Sequence, residues 1–250
     1  MAKKKETKSG LFTQVVENAK GKPYFGVYHK EAQSGITEPI EKDGVTTHFE
    51  LFEELSGVPS DVYVYTKELT NNKKFELLVI NLLQKDGTIE SVQVGFESGY
   101  AASFIQRMEN INKDKEVTLK IFSILDEVKT KEKGKDIFNK FLIPYQLAPN
   151  PAKDGAIELM KVENRYKAEF SADDTNKENN LNPNKLPQFD TFKVKENGKN
   201  VTKYNTDNFK EALRDIVKHC NASYKKAHEA EKATEPASDE AESFKDDSNY

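Results

Sequence analysis

The stretch Asp61-Val62-Tyr63-Val64-Tyr65-Thr66-Lys67-Glu68-Leu69 sets the fold class. Side chains leave a strand on alternate sides, so Val62, Val64 and Thr66 share one face and Tyr63, Tyr65 and Lys67 the other. A strand that is apolar on one side and aromatic and basic on the other belongs in a sheet with one face on a core. Downstream, residues 75–83 read Phe-Glu-Leu-Leu-Val-Ile-Asn-Leu-Leu, apolar on both sides as a central strand should be. Asp86-Gly87 then supplies a hairpin turn into a further strand over residues 89–96. Upstream, residues 24–31 alternate, and residues 48–53 do so again after the Asp43-Gly44 turn signal.

Residues 98–110 break the two-residue period. Ala101, Phe104, Ile105 and Met108 fall at helical spacing behind a Ser98 cap, which predicts a helix. Strands resume at 116–125 and 136–146, joined by a lysine-rich turn holding Lys129, Lys131, Lys133 and Lys135. Several strands, one helix and two more strands predict a mainly β fold with helices. A small β-barrel of OB-fold type, with an inserted helix and a C-terminal helix, gives that order. A generic α+β sandwich gives it too.

Beyond Pro144 the composition changes. Residues 147–151 are rich in proline, and 171–187 form a polar loop with five Asn and two Pro. A hairpin is expected over 191–204 around Asn197-Gly198. A helix follows over 207–229, with Phe209, Leu213, Ile216, Val217, Cys220 and Tyr224 on one stripe. The expected plan is a flexible basic arm (1–10), one domain (11–228) and an acidic tail (229–250).

Charge is unevenly spread. The tail holds eight acids and two lysines, a charge of −6, so residues 1–228 carry +2 of the chain's −4. Such a tail buries too little apolar surface to offset its ordering entropy and should be disordered. No apolar run approaches the roughly 20 residues of a membrane span, so no membrane partner is expected. The basic start lacks the apolar run of a secretion signal, and one cysteine excludes an intramolecular disulfide. These features predict a cytoplasmic protein.

Little catalytic chemistry is legible. His29, His48, His219 and His228 lack metal-ligand spacing, and neither a Gly-rich phosphate loop nor a nucleophile elbow occurs. Cys220 reads as a small core residue. The expectation is a protein that is not an enzyme and needs no metal or cofactor. What remains is a binding surface. Tyr63, Tyr65 and Lys67 alternate aromatic and basic groups, which suits single-stranded nucleic acid because any base stacks on a ring while lysines track phosphates. The same mix recurs at Tyr24, Tyr28 and Lys30 and at Phe138, Lys140 and Tyr145. Arg107 and the Lys129–Lys135 group are further candidate phosphate contacts.

Basic arm, strand series, C-terminal helix and the ending Asp246-Asp247-Ser248-Asn249-Tyr250 together resemble a phage single-stranded DNA-binding protein of the T7 type. The stretch Val94-Gly95-Phe96-Glu97-Ser98-Gly99-Tyr100-Ala101-Ala102-Ser103-Phe104 is similar to a strand-to-helix passage of OB-type phage binders. The resemblance implies an OB barrel that coats and protects single-stranded DNA in replication and recombination. It also implies a tail, with Phe244, Asp246, Asp247 and Tyr250, that recruits a polymerase, helicase or primase and competes with DNA. The alternative is a non-enzymatic phage interaction or structural accessory protein that binds no nucleic acid.

Overall fold

The computed structural model describes residues 12–42, 44–68, 74–150, 155–168, 185–187, 190–196 and 198–234. Its main body is a ten-stranded mixed sheet built from β1 (Phe12–Glu17), β2 (Pro23–His29), β3 (Glu38–Lys42), β4 (Val45–Phe52), β5 (Glu54–Glu68), β6 (Lys74–Leu83), β7 (Ile89–Gly95), β8 (Val117–Leu125), β9 (Phe138–Leu147) and β10 (Leu159–Lys161). The strand order is β10-β9-β8-β5-β6-β7-β1-β2-β4-β3. All neighbours are antiparallel except β1 and β7, which run parallel.

The 15-residue β5 joins the two halves. Its residues 54–57 pair with β8, and residues 58–68 pair with β6. The exchange falls at Gly57-Val58-Pro59, with a register shift between Pro59 and Asp61. Proline lacks a ladder N–H and is tolerated at such irregularities. Glycine is required beside it for a steric reason. A Cβ on Gly57 would lie 2.8 Å from Leu82 Cβ and 3.1 Å from the Leu83 carbonyl oxygen.

The sheet stays open, and this corrects the expected OB-type barrel. Closure requires every strand edge to find a strand partner. Here β3 and β10 end the order without meeting. The edge of β5 past Gly57 is covered by a helix, not a strand: Asn221 Oδ1 accepts the Val62 N–H at 2.9 Å. β1 and β3 are strands that the sequence pattern did not reveal.

Helix α1 (Gly99–Ile105) forms as expected. Ser98 Oγ accepts the Ala101 N–H at 3.2 Å, and Tyr100, Ala101, Phe104 and Ile105 are buried. Ser103 Oγ fastens the helix to the edge of β9, accepting the Leu142 N–H at 2.8 Å and donating to the Leu142 carbonyl at 3.2 Å. The lysine-rich segment is a helix, α2 (Glu127–Lys133), rather than a turn. Asp126 caps its start and Gly134 ends it at φ +64°. It buries no residue, so no apolar stripe announced it.

After β11 (Lys167–Ala168) and β12 (Lys185–Leu186), the strands β13 (Asp190–Glu196) and β14 (Lys199–Asn205) make a separate two-stranded sheet. Helix α3 (Asp207–Thr234) closes the core with Ala212, Leu213, Ile216, Val217, Cys220 and Tyr224. It runs past residue 229 into the stretch expected to be tail; residues 1–11 and 235–250, including Phe244, Asp246, Asp247 and Tyr250, lie outside the described residues. Burial, with Glu109 nearby, pushes the Cys220 thiol up to about 12, as its core position requires. Among the described residues no helix is long and apolar enough to cross a membrane.

Gly57→Ala should destabilise the fold by about 1–3 kcal/mol through overpacking. Urea denaturation measures it. A neutral or stabilising substitution would contradict the role given to Gly57 at the strand exchange.

Candidate nucleic-acid interface

The paired registers sort the side chains of β5, β6, β7, β1 and β2 onto two faces. Val62, Leu78, Ile80, Val92, Val94, Thr13, Phe25 and Val27 point inward and are buried. The outward row begins with Tyr63, Tyr65 and Lys67 on β5, opposite Val79, Leu77 and Phe75 on β6. It continues through Gln93 and Gly95 on β7. Phe12, Gln14 and Val16 on β1 follow, then Tyr24, Gly26 and Tyr28 on β2.

Three rings cluster on the β5–β6 pair. Tyr63, Tyr65 and Phe75 are 38%, 51% and 48% exposed. Lys67 is directly opposite Phe75, and Tyr65 is diagonal to it, which places the side-chain bases roughly 5–8 Å apart. The Phe75 ring lies across the glycine of the next strand: a Cβ built on Gly95 would meet its Cζ at 3.6 Å. Gly95 thus lets the ring lie over β7 with its other side open. Lys67 is exposed and has no ion-pair partner among the described residues. A second aromatic group sits beyond β7, where Phe12 on β1 and Tyr28 on β2 are 65% and 56% exposed. Tyr28 packs edge-on against Phe49, with centroids 6.0 Å apart.

Electrostatic sorting sharpens the contrast between the faces. From Tyr63 to Tyr28 the outward row carries no carboxylate; Asp61, the outward position before Tyr63, faces Lys225 of α3 at 3.6 Å, and Glu17, Glu76 and Glu90 take inward positions. Glu76 pairs with Arg214 of α3 at 2.5 Å. Glu90 accepts from Thr13 Oγ1 at 3.0 Å, and burial holds its carboxyl above the usual range. Glu17 accepts from the Tyr100 hydroxyl and pairs with Lys140. Burial, then the Glu17 carboxylate, drives the Tyr100 hydroxyl well above its ordinary value. The outward face is left aromatic and amide-bearing, with a cation at one end.

Not every expected residue joins this face. Tyr63, Tyr65 and Lys67 do so together, and Tyr28 shares the face at a distance. Tyr24 is half-buried under Lys22, whose ammonium is 4.8 Å from the ring centroid, and Lys30 is exposed just past β2. Arg107 is only 8% exposed and donates to the Ser103 carbonyl, so it is no surface phosphate contact; desolvation lowers its pKa. Phe138 packs against Gly21. Lys140 is engaged by Glu17 and lies 5.6 Å over the Tyr100 ring. Tyr145 sits under Lys120, which itself pairs with Glu54. These three belong to separate packing contacts on β9.

Phe75 and Phe12 were missed. Phe75 was legible once the 61–69 and 75–83 strands are folded into a hairpin across residues 69–73, because Lys67 then faces it. Phe12 gave no signal, because β1 itself was not read. Among the described residues no group of three or more His, Cys, Asp or Glu side chains is placed to hold a metal ion.

No protein-family model, curated protein or solved structure was found to match the chain. With the sheet open as well, the resemblance to T7-type OB-fold phage binders is not upheld.

The exposure contrast has a measurable consequence. Tyr65→Ala should change stability by about 1 kcal/mol or less, as exposed positions do. Leu78→Ala, on the buried face of β6, should cost about 2–5 kcal/mol. Comparable losses from the two variants in urea denaturation would make Tyr65 a packing residue.

Proposed function

We propose that this protein binds single-stranded DNA on the outward face of the β5–β6–β7 sheet, independently of sequence. The observation that supports the reading best is the clustering of exposed Tyr63, Tyr65 and Phe75 beside Lys67, which has no ion-pair partner among the described residues, on a row that carries no carboxylate from Tyr63 to Tyr28. Bases stack on the rings, each contact worth roughly 1–3 kcal/mol and indifferent to base identity. Duplex DNA keeps its base faces inside its own stack, so a stacking surface favours the single strand. Lys67 and neighbouring lysines take phosphates, and counterion release makes binding weaken with salt. The reaction is physical association; no bond is made or broken.

Residues 235–250, with six acids and one lysine, complete the proposal. Tethered to the end of α3, this polyanion competes with DNA at an effective concentration set by the tether. Phe244 and Tyr250 offer aromatic groups to a replication protein such as a polymerase, helicase or primase.

Fluorescence anisotropy with labelled oligo-dT of about 30 nucleotides tests the reading, against a duplex control. The account expects single-strand preference and salt-sensitive affinity. Tyr63→Ala/Tyr65→Ala/Phe75→Ala should lose at least about tenfold in affinity, on the stacking energies above. Removal of residues 235–250 should tighten binding. Unchanged affinity in a folded triple variant overturns the stacking face, and unchanged or weaker binding without the tail removes the competition.

A further inference from the structure

We infer that the β13–β14 ribbon is a second contact for the same single strand, gripping the sugar-phosphate backbone with Lys193 and Lys195. This rests on the single-strand reading above.

The ribbon is a sheet of its own, with seven register pairs from Asp190–Asn205 to Glu196–Lys199. A two-stranded hairpin has little core to hold it, and its side chains stay available to a partner. Its register sorts charge as the main sheet does. One face carries Phe192, Val194, Glu196, Val201 and Lys203, and Lys203 neutralises Glu196 at 2.5 Å. The other carries Lys193 and Lys195 with Thr202 and Asn200, all exposed. Neither lysine has an ion-pair partner among the described residues. Two free ammonium groups two residues apart, flanked by a hydroxyl and an amide, complement a run of phosphates.

The base of the ribbon is fixed at the same end of the sheet as the aromatic cluster, on the inner side. Asn205 ends β14, and its Oδ1 accepts the Asp207 N–H at 3.0 Å where α3 begins. The first two turns of α3 are tied to the main sheet by Lys210–Glu97 at 2.5 Å and Arg214–Glu76 at 2.5 Å. Glu76 adjoins Phe75, and Glu97 lies two residues past Gly95, on which the Phe75 ring rests. A seven-residue ribbon reaches about 23 Å. A strand leaving Tyr65 and Phe75 and passing round this end of β6 and β7, where Glu76 and Glu97 hold α3, meets the ribbon with its next phosphates.

The test is the salt dependence of oligo-dT affinity in the full chain. Lys193→Gln/Lys195→Gln should flatten the log–log slope by about 1.4, two phosphates at roughly 0.7 each. The same charge change at exposed Lys115 and Lys161 should leave the slope near wild type. A ribbon variant with the wild-type slope, or a change matched by the control variant, overturns the ribbon contact and spares the stacking face. A wild-type protein that binds no single strand at low salt overturns both. Circular dichroism of each variant confirms the fold, and all four substituted side chains are exposed.

Discussion

The exchange of partners along β5 governs everything else in the molecule. One strand of 15 residues serves β8 at its start and β6 afterwards, turning at Gly57 where no side chain fits. Past that point its second edge has no strand partner, and an unpaired edge left bare invites association with other chains. Helix α3 resolves this by packing its apolar stripe on the inner face while Asn221 takes the Val62 N–H. Because α3 and α1 fill one side, the other side of the β5–β6–β7 sheet is left to solvent. The exposed rings follow from that one-sided covering.

Alternation then does for charge what covering does for shape. Glu17, Glu76 and Glu90 all occupy positions of the inward set, where Lys140, Arg214 and Thr13 meet them. These three acids are thereby kept off the aromatic face. A near-neutral body can thus present an aromatic row without carboxylates, and overall charge is a poor guide to it. The same sorting recurs in miniature on β13–β14, where Glu196 and Lys203 cancel on one face and the lysines of the other stay free.

Much of this was legible from local pattern. Period-two alternation revealed β5, the continuous apolar run β6, the Asp86-Gly87 turn β7, the Ser98 cap and helical spacing α1, and the stripe from Leu213 to Tyr224 α3, all because local chemistry and tertiary burial agree there. The placing of Tyr63, Tyr65 and Lys67 on one exposed face followed from the same alternation. Topology was not legible. A barrel and an open sheet share one element order, and they differ only in whether the β5 edge meets a strand or a helix. α2 escaped notice because a fully exposed helix has no apolar period. Arg107 misled because sequence gives residue type without burial; it sits at the end of a helix whose next turn drives it into the core.

The central claim is that the exposed aromatic side of the β5–β6 pair, and no other part of the sheet, meets nucleic acid. Ultraviolet crosslinking of oligo-dT to the full chain, with crosslinked peptides identified by mass spectrometry, tests it most directly. The account predicts adducts on the β5–β6 pair at Tyr63, Tyr65 and Phe75. Adducts confined to Phe122, Phe141 and Tyr145 on β8 and β9, with none on β5 or β6, would contradict it.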